Sequence, residues 1–345
     1  MIDIHTNIPL KNYTTMKLGG PARFMVEVHS VDELTAVVRN AHSKQIPIFV
    51  LGGGSNVLAS DAGFPGLVVR IRLSGFQIIN DDINTTSIKM GAGESWDEFV
   101  KKTVDMRLSG VEALSMIPGT VGGAPVQNIG AYGQEVSETI TSLEAFDTQS
   151  DSIVTLTNEQ CGFSYRNSIF RSTETGRYII TSVTFKLSKN MPQPPFYDSL
   201  QNYFDDKGIN IFTQQIVRDA VMAIRSEKLP DPAITPNVGS FFKNAIIENW
   251  QLAELQTRHP DIKVFDMGDG HAKIPTGWLI EKVGLKGQLL HGMRVHDKNA
   301  LVLINESATS YADLAAARDE IIGKVRDAFR IQIEQEPLEI SLLAN

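Results

Sequence analysis

The stretch Ile117 to Gly133, IPGTVGGAPVQNIGAYG, constrains the fold more than any other, being too rich in glycine for a helix and too apolar for an exposed linker. Gly119, Gly122, Gly123, Gly130 and Gly133 free the backbone for positive φ and let a ligand approach the main chain closely, while Pro118 and Pro125 stiffen the same segment. Between them Gln127 and Asn128 offer side-chain amides, and Tyr132 offers a flat ring with one hydroxyl. Such a cradle suits a large, flat, polar-edged ligand. Taken alone, the stretch favours a cradle over the alternative of a tight structural loop under a sheet, where glycine only makes room.

A second glycine loop stands earlier in the chain. The segment Ile46 to Leu51, IPIFVL, is apolar throughout, as expected of a strand covered on both faces, and runs into Gly52, Gly53, Gly54, Ser55 and Asn56. This is not the dinucleotide fingerprint, because Val57 occupies the third glycine position, nor a P-loop, because no Gly-Lys-Ser/Thr follows. Consecutive glycine N–H groups with Ser55 and Asn56 still make an anion nest fit for a pyrophosphate. Around this loop, a strand at Arg23 to Val28, a helix capped by Ser30 and Glu33 and running to about Lys44, and a strand at Leu67 to Ile71 complete a β-α-β unit. A strand at Ile88 to Ala92 precedes a second capping box, Ser95 with Glu98, and a helix ending near Arg107.

Beyond the cradle, Ile140 to Asp147 and Ile153 to Leu156 read as a hairpin, followed by a strand at Tyr178 to Leu187. Asn190 to Tyr197 contains three prolines and reads as an irregular, mobile segment at a domain boundary. The last third changes character. Helices are expected at Thr213 to Lys228, Glu248 to Arg258, Gly277 to Val283 and Ser310 to Phe329, with a strand at Ala300 to Ile304, which together make a small α+β domain. In the last helix Leu314, Ile321, Val325 and Phe329 form one stripe that reads as core packing.

Composition narrows the function. A formal net charge of -8 excludes a general nucleic-acid binder and leaves room for local basic pockets only. No apolar run is long enough to span a bilayer, and the opening MIDIHTNIPL lacks both a basic and a hydrophobic export region, so a cytoplasmic protein without a membrane partner is expected. Cys161 is the single cysteine, which excludes an internal disulfide and reads as a small buried hydrophobe. His271 and His296 lack partners at ligand spacing, so no metal is expected.

Several segments now form an ordered set: GGGSN at 52 to 56, the whole cradle, YRNS at 165 to 168, LPDP at 229 to 232, GSFFKN at 239 to 244, GWLIE at 277 to 281, ALVLIN at 300 to 305 and a terminal acidic segment. Over nearly the whole chain they resemble the UDP-N-acetylenolpyruvoylglucosamine reductase (MurB) family of bacterial peptidoglycan synthesis. The Pro-rich segment resembles that of the family's longer-loop subtype. The resemblance implies an α+β protein with an FAD-binding fold of the p-cresol methylhydroxylase type in two α/β subdomains, residues 1–75 and 76–212. A substrate-binding α+β domain, residues 213–345, would then fold over the flavin, its last strand packing back on the FAD-binding part. The implied activity is reduction of the enolpyruvyl ether of a UDP-sugar to a lactyl ether, with non-covalent FAD reloaded by NADPH. A monomer is expected.

The family's functional residues carry over position by position. Ser240 resembles the proton donor, and Arg166 and Glu336 resemble the pair that engages the substrate carboxylate. Matching Ile333 to the family's leucine places the acid at Glu336, while a local shift would favour Glu334 or Glu339, since Pro337 stands where the family usually has valine. Tyr165, Tyr197, Lys228, Asn244 and Asn299 resemble UDP-sugar contacts, although some relatives carry glutamine at the Asn299 position. For the flavin the resemblance implies Leu51, Gly52, Gly54, Ser55 and Asn56 in the first loop. It adds Ile117, Pro118, Gly119, Gly122, Gly123, Gln127, Ile129, Gly130, Ala131 and Tyr132 in the cradle, with Ile180 and Arg225 from elsewhere. Ala245 departs from the proline that commonly follows GSFFKN. Two other readings compete: a sugar-alcohol or lactone oxidase of the same fold, whose flavin is often tethered to a His or Cys absent from both loops, and a nucleotide-binding regulatory protein that has lost catalysis. Ser240, Arg166 and a terminal glutamate speak against the second.

Overall fold

The computed structural model describes residues 2–341; residue 1 and residues 342–345, the outer ends of the first and last expected domains, lie outside the described residues. In the first sheet β1 (Ile4–Pro9) runs antiparallel to β2 (Pro21–Val28). α1 (Val31–Ser43) crosses from there to β3 (Ile48–Leu51). After β4 (Val57–Ala59), β5 (Phe64–Ile71) inserts parallel to both β2 and β3, giving the order β1-β2-β5-β3. The start of α1 follows the sequence: Ser30 Oγ accepts from Glu33 N at 3.1 Å and the Glu33 carboxylate accepts from His29 N at 2.7 Å. β3 departs from expectation. It is an edge strand, and Phe49 and Val50 line a cleft instead of a second covered face.

The second sheet is antiparallel throughout. It begins with β6 (Phe76–Asp81) and β7 (Thr85–Gly91), followed by α2 (Trp96–Asp105). The cradle ends in a minimal hairpin of β8 (Gly130–Ala131) and β9 (Gln134–Glu135), after which β10 (Ile140–Asp147), β11 (Ser152–Thr157) and β12 (Tyr178–Ser188) complete the order β11-β10-β12-β7-β6. Trp96, Phe99 and Phe185 interlock under this sheet with ring centroids 4.6 to 6.0 Å apart. The capping box expected at Ser95 does not form, because the main chain of Ser95 pairs with Thr120 and Trp96 N donates to Gly119 O at 3.1 Å. The start of α2 is thereby joined to the cradle. One core runs from Val26 and Leu34 through Val69 to Phe146 and Val183, so both sheets share it across the expected boundary at residues 75 and 76.

α3 (Asp198–Lys207), which the sequence reading did not contain, follows the Pro-rich segment, and α4 (Gln214–Lys228) packs on it through Leu200, Phe204, Val217 and Val221. Arg218 of α4 forms a two-pronged ion pair with Asp97 of α2 at 2.7 and 2.9 Å. Although α4 was expected to open the C-terminal domain, its packing therefore joins it to the first half of the chain.

The C-terminal core runs from Val238 onward and takes in Met16, Leu18 and Leu58 of the first part. Its first sheet holds β13 (Ala245–Glu248), β14 (Phe265–Gly268) and β15 (His271–Ile274), with α5 (Asn249–Arg258) between β13 and β14. After α6 (Thr276–Lys282), β16 (Leu289–Leu290), β17 (Met293–Val295) and β18 (Leu303–Asn305) form a second small sheet. β18 starts later than the expected strand because Asn299 first closes a turn, accepting at Oδ1 from Leu301 N at 3.1 Å and at its carbonyl from Val302 N at 3.0 Å. α7 (Tyr311–Phe329) covers this core with Leu314, Ile321 and Val325, all fully buried, each contributing about 1.5 to 3 kcal/mol. Phe329, on the expected stripe, is only partly buried and packs against Trp278 with centroids 5.9 Å apart. β19 (Leu338–Ile340) then pairs in parallel with β4, directly after the first glycine loop. Cys161 is buried, and that burial pushes its thiol up to about 12. Among the described residues no helix is long and apolar enough to cross a membrane.

Candidate active site

The two glycine loops face each other across the floor of a cleft. A Cβ on Gly53 would lie 2.8 Å from the Cα of Gly119, and one on Gly52 2.9 Å from Thr120 Oγ1. Ser55 Oγ donates to Pro118 O at 2.9 Å and Asn56 Nδ2 donates to Gln127 Oε1, so side chains of the first loop lock the second. Of the five cradle glycines only Gly119 and Gly133 have positive φ, at 134° and 85°. Gly122, expected to supply the same freedom, serves space instead, since a Cβ there would sit 2.6 Å from that of Ala92.

The YRNS segment brings a cation to one end of this floor. Ser168 is fully buried, donates to Val126 O at 2.6 Å and accepts from Phe170 N at 3.2 Å, which fixes the segment to the cradle. Arg166 adopts φ 52°, and its Nη2 donates to Gly130 O at 2.6 Å. That leaves its Nε 3.6 Å from Glu336 Oε1. Glu336 is 9% exposed, and burial pushes its carboxyl above the usual range against the opposing pull of Arg166, Arg171 and Lys243. Its neighbours in sequence go elsewhere. Glu334 pairs with Lys243 at 3.2 Å on the exterior, and Glu339 joins Tyr311 and Arg318, so Glu336 alone of the three candidates lines the cleft.

Ser240 reaches the same end from the C-terminal part. Asn237, buried, accepts from Gly239 N at 2.8 Å, Gly239 turns at φ 74°, and Ser240 then bridges to Val302. The next residue carries the link across, since Phe241 O accepts from Glu336 N at 2.8 Å. Ser240, Arg166 and Glu336 thus line one cleft from three distant parts of the chain.

Two family models match the chain, an FAD-binding domain over residues 22–157 and the C-terminal domain of UDP-N-acetylenolpyruvoylglucosamine reductase over residues 231–340. The UDP-N-acetylenolpyruvoylglucosamine reductase of Neisseria gonorrhoeae is 40% identical over 98% of this chain and 97% of its own length. The chain belongs to the UDP-N-acetylenolpyruvoylglucosamine reductase family. A second reductase of that name, from Pseudomonas fluorescens, is 37% identical over 97% of this chain and 98% of its own. The fold is shared with the solved reductase of Thermus caldophilus, at a TM-score of 0.68 and 23% identity over 98% of this chain and 99% of that one.

Against the FAD of this reductase family the cleft can be tested residue by residue. Gly52, Gly54, Ser55 and Asn56 line it from the first loop, and Ile117, Pro118, Gly119, Gly123, Gln127, Ile129 and Gly130 from the cradle. Gly122 and Ile180 line an adjoining, more apolar cavity that shares Gly52, Thr120 and Gly123 with the first, so the two make one elongated groove. Arg225 closes its far side. Its Nη2 donates to Met116 O at 3.3 Å, while its buried Nε has no partner among the described residues, a donor awaiting an acceptor from a bound group. Facing backbones, a buried guanidinium with one unpartnered donor and an apolar extension fit a dinucleotide with a flat ring. Leu51 lies behind the wall in the core, and Ala131 and Tyr132 line neither cavity.

The expected UDP-sugar contacts are more dispersed. Tyr165 stands beside Asn244, and burial raises its hydroxyl's pKa. Tyr197 stacks on Phe265 with centroids 6.5 Å and planes 12° apart, and meets the Tyr132 ring edge-on at 6.3 Å. Lys228 is exposed at the end of α4, and Asn299 is occupied in its turn, so neither lines the cleft. The sequence reading missed Arg171, Lys263, Phe265 and Lys273. Lys263 and Lys273 lie over the Phe265 ring at 5.0 and 5.4 Å, and Lys273 also lies 4.5 Å from the Tyr165 centroid. None of the four lines either cavity; Arg171 touches the cleft-lining Gln127 and Glu336, and Lys273 lies over Tyr165. A local sequence pattern could not find them, because each is an isolated side chain whose partners come from distant segments.

Proposed function

We propose that this chain is an FAD-dependent reductase that uses NADPH to convert UDP-N-acetylglucosamine enolpyruvate to UDP-N-acetylmuramate, a peptidoglycan precursor. The reading rests on family membership and on one observation: Ser240, Arg166 and Glu336 converge at one end of a cleft whose floor fits FAD. In this reading FAD, when bound and reduced by NADPH, supplies a hydride to the terminal vinyl carbon of the substrate. Arg166 binds the substrate carboxylate and draws electron density from the alkene, its guanidinium held in place by Gly130 O. Glu336, whose burial favours the neutral carboxyl against the pull of three cations, engages the same carboxylate as an acid or hydrogen-bond partner. Ser240 delivers its hydroxyl proton to the carbon next to that carboxylate, from a turn fixed by Asn237 and Val302. Tyr165 and Asn244 bind the sugar, and Tyr197, Lys228 and Asn299 the UDP part. Arg225 completes the flavin site, its unpartnered Nε facing the cleft.

Cofactor-binding subdomains at residues 1–75 and 76–212, joined by one shared core and extended to the end of α4 by its packing, precede the substrate part. A cytoplasmic monomer, serving growth and division through wall synthesis, completes the proposal. The test begins with the absorbance spectrum of the purified protein. A yellow preparation, bleached by NADPH and recoloured by the UDP-enolpyruvyl sugar with one NADPH consumed per sugar reduced, supports the reading; a flavin that NADPH bleaches and only oxygen recolours overturns it.

A further inference from the structure

Arg171 is the partly buried cation that the chemistry above does not use. It ends a single 3-10 turn (Ile169–Arg171) whose start is anchored by Ser168. From there its Nη2 donates to the carbonyl of Glu336 at 3.0 Å and its Nη1 reaches Gln127 Oε1 at 3.5 Å, the same oxygen that accepts from Asn56. Asn56 in turn receives at its carbonyl the N–H of Leu338, 3.1 Å away. The hydrogen bonds form a closed circuit: first glycine loop, cradle, Arg171, chain terminus and back to the first loop.

We propose that Arg171 is the positioning residue of the site: it fixes the main chain at Glu336 against the flavin cradle and, by its charge, sets the pH range in which Glu336 works. The proposal rests on the reading that Glu336 engages the substrate carboxylate. The main-chain bond fixes where the carboxyl points, since Glu336 N is held by Phe241 O from the other side. The charge matters because the groups facing Glu336 are Arg166 and Tyr165 from the YRNS segment, Arg171 from the 3-10 turn, and Lys243 from the strand-like segment after Ser240, with Glu334 bound to Lys243 just beyond. Removing one of three cations beside a buried carboxyl favours its protonated form. The sign follows. If protonated Glu336 is the working form, activity falls as pH rises through its pKa, and loss of the Arg171 charge moves that alkaline limb upward.

The experiment uses FAD-loaded enzyme and follows UDP-enolpyruvyl-sugar-dependent NADPH oxidation against pH in four proteins: wild type, Arg171→Gln, Arg171→Lys and Glu336→Gln. Arg171→Gln keeps a donor for the Glu336 carbonyl and removes the charge, so its alkaline limb is expected about one pH unit higher. Arg171→Lys is expected to return the limb to its wild-type position, and bleaching of the flavin by NADPH alone is expected to stay unchanged in both. If Arg171→Gln loses flavin, Arg171→Met supplies the neutral side chain for the same comparison. An unmoved limb in the neutral variant, with Glu336→Gln abolishing it, overturns the role of Arg171 and leaves that of Glu336 standing. A wild-type rate and limb in Glu336→Gln overturns the reading beneath it.

Discussion

Arg166 Nε lies 3.6 Å from Glu336 Oε1, although one residue sits in the middle of the chain and the other close to its end. The contact depends on two main-chain anchors, Gly130 O under the guanidinium and Phe241 O on the Glu336 amide. Neither anchor is near its partner in sequence.

Replacing Glu336 by Gln keeps the shape and removes the proton. Turnover of the UDP-enolpyruvyl sugar is expected to fall by about 10²- to 10⁴-fold while NADPH still bleaches the flavin. Stopped-flow absorbance separates the two half-reactions, and equal losses in both would argue against a role confined to the sugar.

Ser240→Ala removes a hydroxyl that the Asn237 turn holds in the cleft. Turnover is expected to drop by a similar ~10²- to 10⁴-fold with flavin content unaltered. A variant within tenfold of wild type would mean that the proton comes from elsewhere.

The first glycine loop makes a stability prediction. Gly54 has φ 71°, and a Cβ there would lie 1.9 Å from Tyr13 O, a backbone atom that cannot rotate away. The left-handed backbone alone costs about 1 to 2 kcal/mol for alanine, and the clash adds to it. Gly54→Ala is expected to lower the Tm by several degrees and to purify with less flavin; an unchanged Tm would show that the loop can shift at no cost.

Asp147 gives a pH dependence away from the site. It accepts from Arg177 at 2.9 and 3.0 Å, from Gln149 N at 3.0 Å and from Ser150 Oγ at 3.0 Å, and the Arg177 bond first of all holds its carboxyl well below the usual 3.8. A depressed pKa contributes stability above the unfolded value, lost as pH falls through 3.8 toward the folded one. Asp147→Asn is therefore expected to cost about 2 kcal/mol at neutral pH. Denaturant titrations should show that difference shrinking below about pH 4; a difference that persists unchanged in acid would remove the charge from the explanation.

Tyr197 is held by partners that the sequence did not reveal. It stacks on Phe265, and Lys263 lies 5.4 Å from the Tyr197 ring centre while pairing with Asp198. Phe265→Ala is expected to raise the KM for the UDP-sugar roughly tenfold with kcat nearly unchanged, because the ring that stacks on Tyr197, the proposed UDP contact, is lost. Steady-state kinetics decide it, and a fall in kcat at constant KM would place Phe265 in the chemistry instead.

Ser240 and Arg166 were singled out only by the resemblance of their segments to the reductase family. The sequence by itself determined the two glycine loops and the strands and helices around them, because backbone freedom, capping and apolar periodicity are local properties that a short window carries. Even there, local pattern misjudged the glycine at 122, which answers to Ala92 from another segment, and the capping of α2, which the cradle displaces. The match at Ile333 pointed to Glu336, but only the tertiary structure shows Glu336 lining the cleft with Glu334 and Glu339 outside it, since an irregular terminal segment has no period to fix its register and takes it from the Phe241 carbonyl and from β4. Arg171 was found only in the tertiary structure, and so was the unpartnered Nε of Arg225, a residue the resemblance had already named. A cation has no local signature of its burial, and what each can do is decided by the acceptors that other parts of the chain place, or leave unplaced, around it.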